Sequence, residues 1–313
     1  MKSPIVDWLL QGDVSIQYQV YRDLLQNPRP DLQERIAHEG WGARFLSVRN
    51  PNGTWGRGYY QPKWTSSHYT LMDLKSLQIS PANEEIRESV NIIADNEKGD
   101  DGGINPSPTI KVSDVCMNGM FLNFACYFGI PQDRIDSVVD FILTQQMDDG
   151  GFNCRKNRSG ATHSSLHSTL SVLEGILEYS RNAYTYRIAE MKNAAEKSQE
   201  FILCHRLFLS DRTGEIIHKD FLRLSYPARW KFDILRALDY FRDAEVPWDE
   251  RMEAARKVLL SKQRSEGYWT LQAKHPGQVH FEMEKPGLAS RWNTLRAMRV
   301  LQWYPETGVP EVA

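Results

Sequence analysis

The chain has 313 residues, of which 41% are hydrophobic and 25% charged, a globular composition that excludes an intrinsically disordered chain and any need for disulfide or metal staples. Its 38 basic and 40 acidic residues are interspersed and leave a net charge of -2, which gives no electrostatic ground for a nucleic-acid partner. With no apolar run near the roughly 20 residues of a membrane span, only a short apolar patch broken by Asp7 at the start, and four cysteines without a CxxC pair, a cytoplasmic protein with reduced thiols is expected.

In chain order, Trp8, Leu9 and Leu10 through Tyr18, Val20, Tyr21, Leu24 and Leu25 predict a helical segment that caps or closes the body, over residues 1–34. Residues 35–48 supply a first outer helix. Beyond it a glycine turn, a loop and an apolar helix recur, at Gly53, Gly103, Gly151, Gly214 and Gly267. The spacing is about 50 residues with one longer step before Gly214, the span of one helical hairpin. Segments such as Val138, Val139, Phe141 and Ile142, or Ala254, Ala255, Val258 and Leu259, precede the turns at three- and four-residue steps, as an amphipathic outer helix requires. After each loop comes a second helix, carried by Leu71, Leu74 and Leu77; by Met120, Phe121 and Phe124; by Leu170, Leu173 and Ile176; by Ile234, Leu235 and Leu238; and by Leu295, Met298 and Leu301. Strand-type alternation is hard to find. The pattern predicts one all-α domain, an α/α toroid of about five helical hairpins over residues 35–305, with a tail at 306–313. The aromatic residue shortly after a turn, Trp55, Phe152 or Trp269, is expected to plug the seam between units.

The run Gln145-Gln146-Met147-Asp148-Asp149-Gly150-Gly151-Phe152 resembles the Q-x-x-D-G-G-F repeat shared by protein prenyltransferase β-subunits and squalene or hopene cyclases, with weaker copies over roughly residues 40–305. The resemblance implies an inner ring of helices around a cavity, with the helix N-termini and preceding loops at its mouth. Such a ring of N-termini suits a diphosphate or another anion.

Two successive inner-helix starts carry Asp114-Val115-Cys116 and His167. This is similar to the zinc ligands of protein prenyltransferases, so the resemblance implies a site at Asp114, Cys116 and His167 with an open fourth position, as a catalytic zinc requires. Lys111 stands three residues before Asp114 much as the family's lysine does, whereas Met117 replaces its tyrosine and the upstream arginine is absent. The structural alternative makes Asp114 a helix N-cap, Cys116 a small buried residue and His167 a hydrogen-bonded helix-start side chain. A second cluster, Cys154, Arg155, Lys156, Arg158 and His163, joins a thiol, cations and an imidazole in one loop. It could bind an anion or complete a metal site with His167, or be a solvated polar loop.

His68 stands at the equivalent start in the first unit. Arg229-Trp230 and Arg291-Trp292 occupy the fourth and fifth; with Trp64, Tyr69 and Tyr226 they would line an aromatic cavity crowned by Arg229 and Arg291, suited to an isoprenoid or a carbocation. The alternative is seam packing. No D-x-D-D or D-D-x-x-D motif occurs, and no nucleotide or flavin motif; one toroid stands where triterpene cyclases carry two, and squalene cyclisation itself is disfavoured.

The reading is therefore of a transferase- or cyclase-like toroid acting on a hydrophobic or prenyl-diphosphate substrate, with Asp114, His68, His163 and Asp233 as catalytic candidates and Lys111, Arg155, Arg229, Arg291, Trp64, Tyr69, Trp230 and Trp292 as binding candidates. Two others stay open: a noncatalytic toroid that binds a lipid or a protein partner, and a carboxylate-based glycosidase or lyase using Asp114, Asp233 or Glu174.

Overall fold

The structure, a computed structural model, describes residues 3–107 and 109–305; the expected tail at 306–313 lies outside them, as do Met1 and Lys2. The chain opens with α1 (Pro4–Leu10), α2 (Val14–Gln19) running into a π-helical turn (Val20–Leu24), and α3 (Pro30–Arg35). Outer and inner helices then alternate. The outer series is α4 (Gly40–Leu46), α6 (Glu84–Asn96), α8 (Asp136–Gln145), α11 (Ile188–Cys204) and α13 (Glu253–Ser261). The inner series is α5 (Ser67–Ser76), α7 (Val115–Tyr127), α10 (Leu166–Arg181), α12 (Ile234–Asp243) and α14 (Arg291–Trp303), with the short α9 (Arg155–Ser159) in the loop before α10. Each inner helix packs on the next, and α14 closes the ring through α2 and the π turn, which pack against it. The fold is all-α, an α/α toroid, with one two-residue antiparallel ribbon pairing Trp269–Thr270 with Ala289–Ser290.

Burial separates the two rings. Outer α6 buries Ile86, Ser89, Val90, Ile93 and Ala94 on one face and is started by Asn83, whose side chain accepts from the Ile86 N–H at 3.0 Å; this is the one-stripe pattern of a surface helix. Inner α7 is buried on all sides from Met117 to Cys126. Where α7 and α10 cross, Gly119 and Gly175 let the backbones touch: a Cβ on Gly119 would lie 2.6 Å from the Val172 Cα.

The repeat is written in hydrogen bonds. In four units the turn glycine donates back three residues, Gly53 to Asn50 at 2.9 Å, Gly102 to Gly99 at 3.0 Å, Gly150 to Met147 at 2.9 Å and Gly267 to Arg264 at 2.9 Å. The buried residue two positions on then donates its N–H to an inner-helix side chain: Trp55 to Ser67 at 2.9 Å, Ile104 to Asn118 at 2.6 Å, Phe152 to Thr169 at 3.0 Å and Trp269 to Thr294 at 3.0 Å. In the paired-glycine units the left-handed residue is the first, Gly102 (φ 82°) and Gly150 (φ 88°), one position earlier than the marker read from sequence. The second glycine is required by space, since a Cβ on Gly151 would meet Ser164 at 2.6 Å. The fourth unit departs: Gly214 donates to Ser210, in the longer interval. The outer helix expected over 35–48 is also broken, because Gly40 takes φ 60° and α4 restarts with the Trp41 N–H on Asp13 at 2.8 Å.

Candidate functional site

A cavity of about 410 Å³ lies inside the inner ring. It is walled by Met72, Asp73 and Lys75 of α5, Asn123 and Phe124 of α7, Glu174, Leu177, Glu178 and Arg181 of α10, Arg236 to Asp243 of α12, Trp292, Arg296 and Arg299 of α14, and Gln19, Arg22 and Asp23 beside them. The one exposed lining residue among those described, Arg181, and the partly exposed Arg22, Lys75, Gln78 and Asp243 lie past α2 or at the C-terminal ends of inner helices, and the cavity opens there. The opposite end, where the resemblance places the mouth, is closed. Tyr59, Trp64, His68 and Tyr69 are buried in it, and the 274–284 loop is tied across it by Trp64 Nε1 donating to the Pro276 carbonyl at 2.7 Å and a His280–Thr70 hydrogen bond at 2.9 Å.

The lining is charged rather than apolar. Glu174 receives Arg236 through two N–H groups at 2.8 and 2.7 Å, Glu178 pairs with Lys75 at 2.7 Å, Asp243 with Arg181 at 2.9 Å, and Asp23 with Arg299 at 2.8 Å. Asp239 gathers Arg242, Arg296 and Arg299. Burial acts to raise this carboxyl, and the three guanidiniums, Arg299 foremost, outweigh it and hold it well below the usual range. At the floor, Arg229 donates to Asp73, both buried; burial pushes Asp73 up against the opposing pull of Arg229.

Cations outnumber carboxylates in this wall, and several donors are left over. Among the described residues Arg229 engages only Asp73 by hydrogen bond, Arg296 only Asp239 through Nε at 3.3 Å, and Arg242 has a buried Nε without a partner, although a guanidinium carries five N–H groups. Trp292 stacks on Tyr226 with centroids 4.6 Å apart, and its buried Nε1, like the Oδ1 of Asn123, also lacks a partner. Buried donors without acceptors are unfavourable unless a bound group or water satisfies them.

Of the residues singled out from sequence, Arg229, Trp292, Tyr226 and Glu174 line the cavity; the others lie elsewhere. Trp64, with Arg229, faces a second, small pocket under the 274–284 loop. Tyr69 is paired through its hydroxyl to Tyr60 at 2.9 Å. His68 is fully buried, accepting from or donating to the Tyr59 hydroxyl at 2.7 Å through Nδ1, with Nε2 unpartnered; burial, then Lys63, lowers it to about 3. Asp233 is the N-cap of α12, accepting from the Arg236 N–H at 2.8 Å and from the Ser225 hydroxyl at 3.1 Å, and burial raises it. Arg291 reaches outward to the Trp8 carbonyl at 3.1 Å and covers the Trp8 ring. Trp230 stands on edge to His167 at 5.1 Å. Lys111 and Arg155 are exposed, and His163, exposed, meets Arg212.

The trio expected to hold zinc has other partners. Asp114 pairs with Arg158 and makes no capping bond; burial raises its carboxyl despite Arg158. Cys116 is in a disulfide with Cys154, a correction to the expected reduced thiols. His167 accepts the Phe232 N–H at 2.7 Å through Nδ1, and burial lowers it to about 4. Among the described residues no three His, Cys, Asp or Glu side chains come together as a metal site. The alternative of Cys154, His163 and His167 is not assembled either.

The arginines of α12 and α14 were missed in the sequence. Asp239, Arg242, Arg296 and Arg299 carry no motif in the sequence, and only ring closure turns their side of each helix inward. The signal was present in α14, where Arg296 and Arg299 sit at a three-residue step, the spacing that puts two side chains on one face.

The fold and its charged interior define the class, an α/α toroid with a central polar cavity. No family model matches the chain, and no curated protein matches it. Among solved structures it is similar to a type II terpene cyclase from Scytonema, solved in complex with its product merosterolic acid A, at 14% identity and a TM-score of 0.45 over 93% of this chain and 87% of that one.

Proposed function

We propose that the toroid binds a small anionic molecule, phosphorylated or carboxylated, in its central cavity and acts on it there, with a short prenyl diphosphate as the substrate that unites this cavity with the transferase- or cyclase-like reading of the sequence. The observation that carries this is the surplus of donors in the cavity wall: Arg229 and Arg296 each hold one carboxylate through a single N–H and have others unmatched by the protein, and Arg242 Nε and Trp292 Nε1 are buried without an acceptor. An anion supplies the missing acceptors, and charge-assisted hydrogen bonds to arginine are the strong ones. The volume, about 410 Å³, is that of a small-ligand site. Met72, Phe124 and Leu177 with the Tyr226–Trp292 stack offer apolar contact for a short chain only. A long isoprenoid would have to lie against ion pairs and leave them desolvated. The glycosidase or lyase reading is weaker here, since Asp114 and Asp233 lie outside the cavity wall and Glu174 is held by Arg236 at both oxygens.

Calorimetric titration with inorganic pyrophosphate, citrate, dimethylallyl diphosphate and the uncharged prenyl alcohol tests the proposal. Expected are saturable binding of the anions, weakening with salt, and at least a tenfold loss in Arg296→Gln, about 1.4 kcal/mol. Binding of the alcohol without the anions would overturn it. Binding without turnover of any bound diphosphate would leave a noncatalytic anion-binding toroid.

A further inference from the structure

We infer that Cys116 and Cys154 form a thiol–disulfide exchange site, one that takes small thiols and their disulfides and governs the attachment of the 152–163 loop to α7. The two cysteines are separated by 38 residues, with Cα atoms 6.2 Å apart, within the window a disulfide bridge needs. The Cys116 N–H, in the first turn of α7, donates to the Cys154 sulfur at 3.3 Å. The Cys154 sulfur also lies 3.4 Å from the Ser168 hydroxyl on α10. The pair therefore sits where the starts of two inner helices meet, and it lies outside the cavity wall.

Pairing distinguishes these two from the other cysteines: Cys116 and Cys154 are half-buried and joined, a placement that leaves part of each residue open to solvent, whereas Cys126 is buried and Cys204 exposed, both free. An incoming thiolate attacks the Cys154 sulfur; the new sulfur–sulfur bond forms as the old one breaks, and Cys116 leaves with the electron pair. The first turn of α7 favours negative charge on that departing sulfur, and Asp114 beside it is matched by Arg158. A second thiolate then attacks the mixed disulfide and releases Cys154. The protein gains two electrons and, from solvent, two protons, while the two small thiols leave as their disulfide; the reverse sequence uses that disulfide as oxidant.

With the bridge open, the loop keeps the Arg158–Asp114 pair and the Asn153 side-chain bond to the His163 carbonyl at 2.7 Å. Reduction should therefore loosen the loop without unfolding the toroid.

The test equilibrates the folded protein in a series of reduced-to-oxidised glutathione ratios, quenches with acid, and counts thiols after denaturation. Of the four cysteines, two should titrate at the oxidising end and all four at the reducing end, reversibly, with a peptide map linking Cys116 to Cys154. Amide exchange in 152–163 should rise on reduction, at least fivefold, while α12 is unchanged. The Cys116→Ser variant should lose the bridge and carry a glutathione adduct on Cys154; the Cys204→Ser variant should behave like wild type. Four thiols at every ratio, or a bridge that glutathione never reduces in the folded protein, would overturn the inference.

Discussion

Arg229 donates to Asp73 across 156 residues of sequence, and the two side chains together form the partition between the central cavity and the small pocket under the 274–284 loop. Both are at least nine-tenths buried, and Arg229 takes the left-handed φ of 59° that a non-glycine residue adopts only where its surroundings hold it. The pair joins the first unit's inner helix to the loop that begins the fourth, and so links opposite sides of the ring.

Breaking one side of that pair leaves a buried, uncompensated charge. Arg229→Met should lower stability by about 3 to 5 kcal/mol, and Asp73→Leu by a similar amount, while the double variant recovers most of the loss because no orphan charge remains. Urea denaturation of the four proteins measures this. Two single losses that simply add in the double variant would show that the residues do not act as a pair.

The acid limb of stability should begin unusually early. Burial, the largest cause at each, lowers His68 to about 3 and His167, His275 and His280 to about 4, from the ordinary 6.5. Each depressed group stabilises the fold fully above its unfolded value, and that contribution is lost as pH falls from 6.5 toward the folded value, because the unfolded chain binds the proton first. Asp239 and Asp23, also depressed, add a further loss only below about pH 4. Asp73, Asp114 and Asp233, raised by burial, bind protons first in the folded state and oppose this loss, so the histidine share is read by comparison: between pH 6.5 and 4 the urea midpoint of His280→Gln should fall less than that of the wild type. An equal fall in the two proteins would contradict the burial of His280 in neutral form.

The helical repeat was legible because it has a local cause. The turn at Gly150 and the apolar spacing of Leu170, Leu173 and Ile176 belong to short stretches of chain, and the same hydrogen-bonded turn recurs in four units. The cavity was not, because its chemistry is assembled from residues far apart. Asp239 meets Arg296 across 57 residues and Arg229 meets Asp73 across 156; nothing in the local pattern distinguishes a charged face turned to solvent from one turned to the centre of a ring. For the aromatic residues at helix starts the sequence leaves cavity lining and seam packing both open; Trp64 and Tyr69 seal the closed end, since burying large rings is the stronger use of their area.

Close approach of α7 and α10 makes Gly119 sensitive to a single methyl group. Gly119→Ala would force the new Cβ into the Val172 backbone, 2.6 Å away, where neither helix can yield without shifting its neighbours. A loss of about 2 to 3 kcal/mol is expected. Gly58→Ala, with nothing within 4 Å, should change stability by less than about 0.5 kcal/mol. Comparable melting temperatures for the two variants would mean that the inner helices are not in backbone contact.

The indole of Trp292 separates the two roles of its position. Its rings stack on Tyr226 at 4.6 Å and on Trp41 at 6.0 Å, which is packing, whereas the residue also lines the cavity and its Nε1 is buried without a partner, which under the proposed function is the donor a bound anion would use. Trp292→Phe retains an aromatic ring for the stack and deletes the donor; because the N–H has no protein acceptor, its removal takes away a desolvation penalty and offsets part of the packing lost with the smaller ring. Stability should fall by no more than about 1 to 2 kcal/mol, while pyrophosphate affinity drops at least about tenfold, the worth of one hydrogen bond to a charged acceptor, about 1.5 to 3 kcal/mol. Trp292→Leu, which also removes the stack, should lose stability as well, by about 3 kcal/mol. Comparing the Phe variant's affinity with its denaturation midpoint decides between the roles: an unchanged pyrophosphate affinity in a folded Trp292→Phe protein would remove the indole from the ligand site and leave recognition to the arginines alone.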